Sequence, residues 1–375
     1  MVILFVIDNY LSQTDGSHVS AHRFHDELTR MGHEVRILSI GVEGPGMYSV
    51  EEHYIPIVTP VARWSHLRFA KFDTETARKA LTGADVMHAF FPWQLQQKTM
   101  LLAREMGIAV TSAFHCPPEH VSYNMGLKAF PPLIKFLFWH FKNMFFKYVD
   151  DIHCPSALTA QDLEKHGYTA HLHVISNGVS SEYKPAEKVP HDDFIHVMSA
   201  GRLAPEKRQD LIIKAVNHSK YRTRIKLHIM GQGIYEKRYR KEAATLPIPA
   251  EFGFLCREVF IKTMQENDIY VHASDVEAEG LACLEAISCG NVPIISSSPR
   301  SAASQFALDE RSKFEKGNFL DLRDKLDYWI EHPEERRVMG QKYAALGLEY
   351  NINKSAQKML VMFAEAIERN KRRYA

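Results

Sequence analysis

Short apolar runs alternate with amphipathic helical patterns along the first half of the chain. Four short runs are rich in apolar residues, which predicts parallel strands buried on both faces: residues 2–7, 34–40, 85–89 and 108–113. Apolar residues at helical spacing predict helices between them, over residues 19–31 and 93–106. The strand-like pattern continues through "DIHCPS" and "LHVISNGV". Such alternation is typical of a parallel sheet that is covered by helices on both sides.

A polar segment with two prolines, "SSEYKPAEKVPHDD" at residues 180–193, is the best linker candidate. After it a second series of strand-like runs begins, "FIHVMSAGRL", "RIKLHIMGQG", "DIYVHAS" and "NVPIISSS". The sequence therefore predicts an α/β protein with two Rossmann-like, doubly wound domains, residues 1–180 and 185–350. A helical tail over 351–375 can pack back on the N-terminal domain. Domains of this type bind ligands at the carboxyl ends of their strands, here in a cleft between them.

Composition narrows the class of protein. A length of 375 residues indicates about two domains. The net charge of +1 gives no field that favours nucleic acid, so we expect no nucleic-acid partner. Five cysteines without a Cys-x-x-Cys pair favour a reduced, intracellular compartment. No apolar run approaches the roughly 18 residues that cross a bilayer, and the first run, which ends at Asp8, indicates a strand rather than a signal peptide.

The segment "AGRLAPEK" follows the first strand of the second half. Gly201 allows a tight turn, and Arg202 and Lys207 are predicted at the start of a helix, where the dipole also favours an anion. Arginine and lysine are common phosphate ligands. A turn that carries solvated charges explains the segment equally well by itself.

The segment "DVEAEGLACLEAISCG" brings two carboxylates near a predicted helix start. A helix that begins near Gly280 would direct backbone N–H groups towards a ligand, with Glu277 in the preceding loop and Glu285 on the second turn. Carboxylates accept hydrogen bonds from sugar hydroxyls, and amides bind phosphates. The alternative is an ordinary helix whose N-terminus favours acidic residues.

A family resemblance rests on these motifs together. Gly201-Arg202 with Lys207, Gly231-x-Gly233, "FGFL" at 252–255 and Glu277-x7-Glu285 occur in family order and spacing. Over essentially its whole length the chain resembles retaining glycosyltransferases of the GT-B fold (glycosyltransferase family 4 type). It is most similar to membrane-associated enzymes that glycosylate diacylglycerol-type lipids.

The resemblance implies roles for individual residues. Arg202 and Lys207 would hold the donor diphosphate, together with amides near Gly280 and Leu281. Glu277 would contact the transferred sugar, Glu285 the ribose, and backbone atoms around Leu255 the base. Further positions complete the implied donor site: Gly201, Gly231, Gly233 and Glu279. The family usually has Gly-Phe-Gly where this chain has Ala278-Glu279-Gly280, so Glu279 is expected to reshape the sugar pocket.

Two positions in the first half complete the expected site. The resemblance places the Asp15-Gly16 loop beside donor and acceptor, and assigns His115 to the donor sugar. His115 follows the fourth predicted strand, with Glu119 and His120 as weaker candidates nearby. Pro117 and Pro118 predict a loop rather than a helix after it.

The chain contains no Asp-x-Asp and no His/Cys cluster with metal-ligand spacing. We therefore expect metal-independent chemistry and no cofactor besides the nucleotide-sugar substrate. In the family, cationic side chains and helix ends take the place of a metal at the diphosphate.

The stretch "LIKFLFWHFKNMFFKY" at residues 133–148 predicts a helix with one apolar face. Its other face combines cations with large aromatics, a pattern that anionic lipid surfaces select. Six residues form this predicted membrane surface: Lys135, Phe136, Trp139, Lys142, Phe146 and Lys147. Packing of the aromatics against neighbouring loops is the alternative.

These observations together predict an enzyme that transfers a hexose, glucose or galactose, from a UDP-sugar with retention of configuration. The expected acceptor is a diacylglycerol- or ceramide-type lipid at the inner face of the cell membrane, where the enzyme would associate peripherally. A polysaccharide or lipid-linked saccharide precursor is an alternative acceptor. A non-catalytic sugar-nucleotide-binding protein and a nucleotide-sugar epimerase are alternatives of another class. The sequence does not determine the oligomeric state.

Overall fold

The computed structural model describes residues 1–12, 16–54, 56, 59, 68–124, 126–127, 130–187 and 193–374. The chain forms two compact units, Met1–Gly178 with Ile352–Ala375, and Val179–Asn351. Each unit contains one parallel sheet with helices packed on it, so the predicted α/β class with two Rossmann-like domains is confirmed. Part of the linker candidate, residues 188–192, lies outside the described residues.

The sheet of the first unit has seven strands in the order β3-β2-β1-β4-β5-β6-β7, and every neighbouring pair is parallel. The strands are β1 Val2–Val6, β2 Glu34–Ile40, β3 Met47–Val50, β4 Val86–Ala89, β5 Ala109–Ala113, β6 Asp151–Cys154 and β7 His171–Val174. The helices among the described residues of this unit are α1 Gly16–Arg30, α2 Thr74–Leu81, α3 Gln94–Glu105, α4 Pro118–Asn124, α5 Pro131–Met144, α6 Ala157–Lys165 and, from the end of the chain, α13 Ile352–Tyr374.

The last helix, α13, is part of the core of the first unit. Its Met359, Met362 and Phe363 are fully buried in one apolar cluster with Phe5 of β1 and Phe24 of α1. Polar contacts add to this packing: the amide of Asn353 donates to Glu27, and the guanidinium of Arg369 pairs with Asp151. The chain thus returns to its first unit after completing the second.

The sheet of the second unit has six parallel strands in the order β10-β9-β8-β11-β12-β13. The strands are β8 Ile195–Ala200, β9 Ile225–Met230, β10 Glu251–Gly253, β11 Ile269–His272, β12 Val292–Ser296 and β13 Lys313–Phe314. The helices are α7 Gln209–His218, α8 Glu236–Ala243, α9 Arg257–Glu266, α10 Leu281–Ser288, α11 Phe319–Glu331 and α12 Pro333–Glu349.

Two local predictions are wrong. Residues 118–124 form helix α4 rather than a loop, because Pro118 occupies its first turn, where the missing N–H costs no hydrogen bond. The helix predicted over 133–148 ends at Met144, and Phe145 leaves the helical region with φ −131° and ψ −63°. A short 3-10 turn, Phe146–Tyr148, follows.

No helix among the described residues has both the length and the apolar character needed to cross a bilayer.

Candidate functional site

The strand order of the second unit places the ends of β8 and β11 side by side. The chain continues from β8 to β9 on one side of this pair, and from β11 to β12 on the other side. Loops at such a switch point diverge and leave a crevice at the carboxyl ends of the strands. Arg202 and Lys207 follow β8, and Glu277 follows β11. Three of the predicted site residues therefore lie in loops that leave neighbouring strands.

Lys207 and Glu277 form an ion pair at this edge. Lys207 Nζ donates to Glu277 Oε1, although the two residues are 70 positions apart. Both side chains are mostly buried. His272, the last residue of β11, approaches the same oxygen, with its Nε2 3.1 Å away. A cation, a carboxylate and an imidazole thus meet at one atom.

Arg202 follows β8 in the same loop as Lys207 and pairs with a carboxylate of its own. Its Nη2 donates to Oε1 of the fully buried Glu206 at 3.0 Å. The amide of Gln209 donates to the Arg202 carbonyl oxygen at 3.0 Å. These contacts fix the backbone of the turn and leave the guanidinium partly exposed.

The helix start after β8 differs from the prediction. Lys207 ends a 3-10 turn, Pro205–Lys207, and Arg208 takes a left-handed conformation with φ 54° before α7 begins at Gln209. Arg208 pairs with Asp210 and Asp275. Burial lowers the pKa of Arg208, but these two carboxylates outweigh it and raise the pKa overall. Arg208 therefore keeps its charge while stabilising the turn.

Helix α10 begins directly after Gly280. Gly280 is its N-cap with φ 101°, and a Cβ there would lie 2.7 Å from Ala303 Cβ, so both conformation and space require glycine. Leu281 is the first helical residue, and the first turn of a helix has N–H groups without intrahelical acceptors. Glu285 lies within α10 and Glu279 just before it, and both side chains are buried.

The glycines after β9 have a clear structural reason. A Cβ on Gly231, where φ is 143°, would lie 2.9 Å from the Gly201 carbonyl carbon, and one on Gly233 would lie 2.8 Å from Leu203 N. The loops after β8 and β9 thus touch through their backbones. Leu255, two residues after β10, is partly buried against the apolar core of the second unit.

In the first unit, His115 follows β5 and is buried. Its ring stacks on Phe90 at 5.8 Å and meets the ring of His153 edge-on at 5.2 Å. Burial lowers the pKa of His153 to about 4. Gly16 begins α1, whereas Asp15 lies outside the described residues. Glu119 and His120 lie in α4.

Asp8 is a buried carboxylate two residues beyond β1 that sequence reasoning overlooked. Its Oδ1 accepts from Ala70 N at 2.8 Å, and its Oδ2 accepts from Gln96 Nε2 at 2.5 Å. Burial raises its pKa to about 6, although these hydrogen bonds and the nearby His18 oppose the shift. In the sequence, Asp8 and His272 are polar residues at the end of an apolar run. That position could have identified both as candidate site residues.

The exposed face of α5 carries only part of the predicted membrane surface. Phe136 is 53% exposed and Trp139 60% exposed, and Lys135 is exposed between buried positions of the helix. We call these three residues the α5 surface. The rings of Phe136 and Trp139 lie 6.0 Å apart.

Phe146 does not belong to that surface, and its prediction is wrong. It is 3% exposed and packs on Phe114, Phe145 and Tyr168, because the chain leaves the helix at Phe145 and turns Phe146 inward. Lys147 is exposed on the 3-10 turn, and Lys142 is half-buried.

Among the described residues, one group of side chains has atoms close enough to share a metal ion: Asp151, His173 and Glu365 of the first unit. His173 Nε2 lies 2.7 Å from Asp151 Oδ1, and Arg369 Nε donates to Asp151 Oδ2 at 3.2 Å. The arginine already compensates the buried charge, so the arrangement is that of an ion pair.

Comparison with known families accounts for both units. Residues 14–183 match Glycosyltransferase Family 4, and residues 180–345 match the glycosyl transferases group 1. The chain is 23% identical to the alpha-monoglucosyldiacylglycerol synthase of Streptococcus pneumoniae over 78% of its own length and 70% of that protein. It is 25% identical to the sulfoquinovosyl transferase of Arabidopsis thaliana over 68% of its length and 52% of that protein.

Among solved structures, Anabaena HepE in complex with UDP and glucose has the same fold. Its TM-score is 0.73 at 16% identity, and the match covers 97% of this chain and all of the other, 100%.

Proposed function

Because the chain belongs to the family 4 glycosyltransferases with the GT-B fold, we propose that it transfers a hexose from a UDP-sugar to a membrane lipid. Glucose or galactose is the proposed hexose, and a diacylglycerol- or ceramide-type lipid the acceptor. Configuration at the anomeric carbon is retained, and no metal ion takes part. The enzyme acts at the inner face of the cell membrane, with which it associates peripherally.

The ion pair of Lys207 with Glu277 at the ends of β8 and β11 carries this proposal, and Arg202 lies in the same loop after β8 as Lys207. Two cations and a carboxylate suit a ligand that has a diphosphate at one end and hydroxyls at the other. Arg202 and Lys207 bind the diphosphate, and the first-turn amides of α10 support them. Glu277 accepts hydrogen bonds from the sugar hydroxyls, and Glu285 from the ribose. HepE, with its bound UDP and glucose, supports the choice of donor.

Transfer exchanges one bond at the anomeric carbon for another. The bond to the diphosphate oxygen breaks, and the acceptor hydroxyl oxygen attacks from the same face through an oxocarbenium-like state. The hydroxyl proton passes to the departing diphosphate. Arg202 and Lys207 stabilise the negative charge that develops on that group, the type of electrostatic stabilisation that contributes most in many enzymes. His115 and Glu277 orient the hexose.

The α5 surface supports a lipid acceptor. Two large aromatics exposed beside a lysine on one helix can insert at the headgroup level of a bilayer, while the cation pairs with anionic lipid. The similarity to a monoglucosyldiacylglycerol synthase and to a sulfoquinovosyl transferase also supports a role in glycolipid synthesis.

A transfer assay tests the proposal. The protein is incubated with UDP-glucose, UDP-galactose and GDP-mannose, each with vesicles that contain diacylglycerol or ceramide, and with a chelator. We expect a hexosyl lipid from a UDP-sugar, with the anomeric configuration of the donor by NMR, in the presence of the chelator. Binding of UDP-sugar without turnover would instead favour a non-catalytic binding protein, and a donor epimerised without acceptor would favour an epimerase.

A further inference from the structure

His272 is a buried histidine that the proposed function does not use. It ends β11 and is 4% exposed. Its Nε2 lies 3.1 Å from Glu277 Oε1 and 3.7 Å from the position that a Cβ on Gly280 would occupy. The ring therefore lies close to both the Glu277 carboxylate and the residue that starts α10.

Nε2 of His272 has no hydrogen-bond partner within the described part of the chain. Its distance to Glu277 Oε1 is suitable, so the angle is what prevents the bond. A buried polar atom without a partner destabilises a fold, so its position next to an acceptor needs a physical explanation. A small rotation of the Glu277 carboxylate or of the ring would complete this bond.

The acceptor atom is already in use by another donor. Lys207 Nζ hydrogen-bonds to Glu277 Oε1, so two donors converge on one oxygen and only the lysine is bonded. Lys207 cannot remain on Glu277 and also give its full charge to a diphosphate. If Lys207 turned away, Glu277 would keep a mostly buried negative charge without its cation, which is unfavourable.

We propose that His272 is a positioning residue that takes over Glu277 Oε1 when Lys207 turns to the donor diphosphate. The inference rests on the proposed function, because it needs a diphosphate ligand. The Nε2–H of His272 donates to the Glu277 carboxylate and fixes it in the orientation in which it accepts from the sugar. Without a ligand, Lys207 is bonded to Glu277 Oε1 and His272 Nε2 is not. With the diphosphate bound, His272 takes the place of Lys207.

Binding of UDP by calorimetry tests this exchange without any need for turnover. His272→Phe keeps a ring but lacks the donor, and His272→Leu is a second variant without a donor. Both should weaken UDP binding about five- to ten-fold, because Lys207 then leaves an uncompensated carboxylate. His272→Gln, whose amide can donate, should stay within about two-fold of the wild type. Thermal unfolding shows that each variant is folded.

A double-mutant cycle separates this role from a packing role. In a Glu277→Gln background the neutral amide needs no replacement donor, so His272→Phe should change UDP affinity by less than about two-fold. The inference would be overturned if His272→Phe and His272→Gln lost UDP affinity equally. It would also be overturned if His272→Phe still lost UDP affinity in the Glu277→Gln background. A wild type that binds no UDP would overturn the proposed donor and this inference together. A wild type that binds UDP but glycosylates no lipid would overturn only the proposed acceptor, and the cycle would still decide the role of His272.

Discussion

Lys207 and Glu277 pair across the carboxyl ends of β8 and β11, although they lie in different loops. The cation proposed to bind the diphosphate and the carboxylate proposed to bind the sugar therefore hold each other in place before a ligand arrives. The pair keeps both charges compensated at the edge of the sheet until Lys207 exchanges the carboxylate for the diphosphate.

Lys207→Ala and Glu277→Ala should each lower transfer activity by about 100-fold or more, since each removes a group that acts at the reacting end of the donor. The measurement is steady-state turnover with UDP-hexose and vesicles, with thermal unfolding to show that the fold remains. Lys220→Ala is the matched control, because Lys220 pairs with Glu331 at the surface of the same unit. Near-normal turnover in either site variant would contradict the site assignment.

Substitutions on the α5 surface should weaken membrane binding without changing the fold. Phe136→Ser and Trp139→Ser remove exposed aromatics, each of which contributes on the order of 1.5–3 kcal/mol when fully buried in an apolar environment, and Lys135→Glu reverses the charge that anionic lipid attracts. Co-sedimentation with anionic vesicles at moderate salt measures the loss. Val361→Ser, on the 58% exposed Val361 of α13, is the control in the same unit. Unchanged sedimentation of the α5 variants would exclude this surface as the membrane contact.

Asp8→Asn should stabilise the protein above pH 6. Burial raises the pKa of Asp8 from 3.8 to about 6, so the native state binds a proton that the unfolded state has released. The contribution of Asp8 to stability is therefore complete below pH 3.8 and is lost as the pH rises to about 6. Asparagine carries no charge, its oxygen can still accept from Ala70 N, and a flip of the Gln96 amide lets Gln96 Oε1, which has no partner among the described residues, accept from the asparagine amide. The expected gain at pH 7.5 is about 1–3 kcal/mol.

Urea denaturation of wild type and Asp8→Asn at pH 4 and pH 7.5 measures this gain. The advantage of the variant should be small at the lower pH and larger at the higher one. An equal difference at both values would mean that Asp8 is not the titrating group.

Gly231→Ala should destabilise the second unit, by about 2–4 kcal/mol, because the left-handed φ and the backbone of Gly201 both exclude a methyl group. Gly253→Ala is the matched control, since a Cβ there meets nothing within 4 Å and the backbone is not left-handed. Thermal unfolding should separate the two variants by several degrees. Similar melting temperatures would show that the loops after β8 and β9 can move apart.

The long central strands and the two-domain plan follow from the sequence. Parallel strands buried on both faces need consecutive apolar residues, and that pattern is visible without a structure. Three short strands at or near sheet edges were not predicted: β3, β10 and β13 have only four, three and two residues. Strands this short bury too few side chains to give a periodic pattern in the sequence.

The sequence motifs also predicted the class of ligand. A phosphorylated sugar is favoured by arginine, lysine and glutamate near strand ends, together with glycine-rich turns. They did not show which side chains meet. Phe136 and Phe146 have the same residue type and were assigned to one surface, yet one is exposed and the other buried. The difference comes from a single residue, Phe145, where packing ends the helix.

The sequence by itself therefore determined the two sheets, the order of the domains and the residue types of the candidate site, because backbone periodicity and local turns encode these features. Tertiary structure alone decided the partners: Lys207 with Glu277, His272 with the same oxygen, and Asp8 with Gln96. These pairs join segments that lie between 5 and 88 positions apart. Their geometry depends on how parallel strands are ordered in the sheet, which no local pattern records.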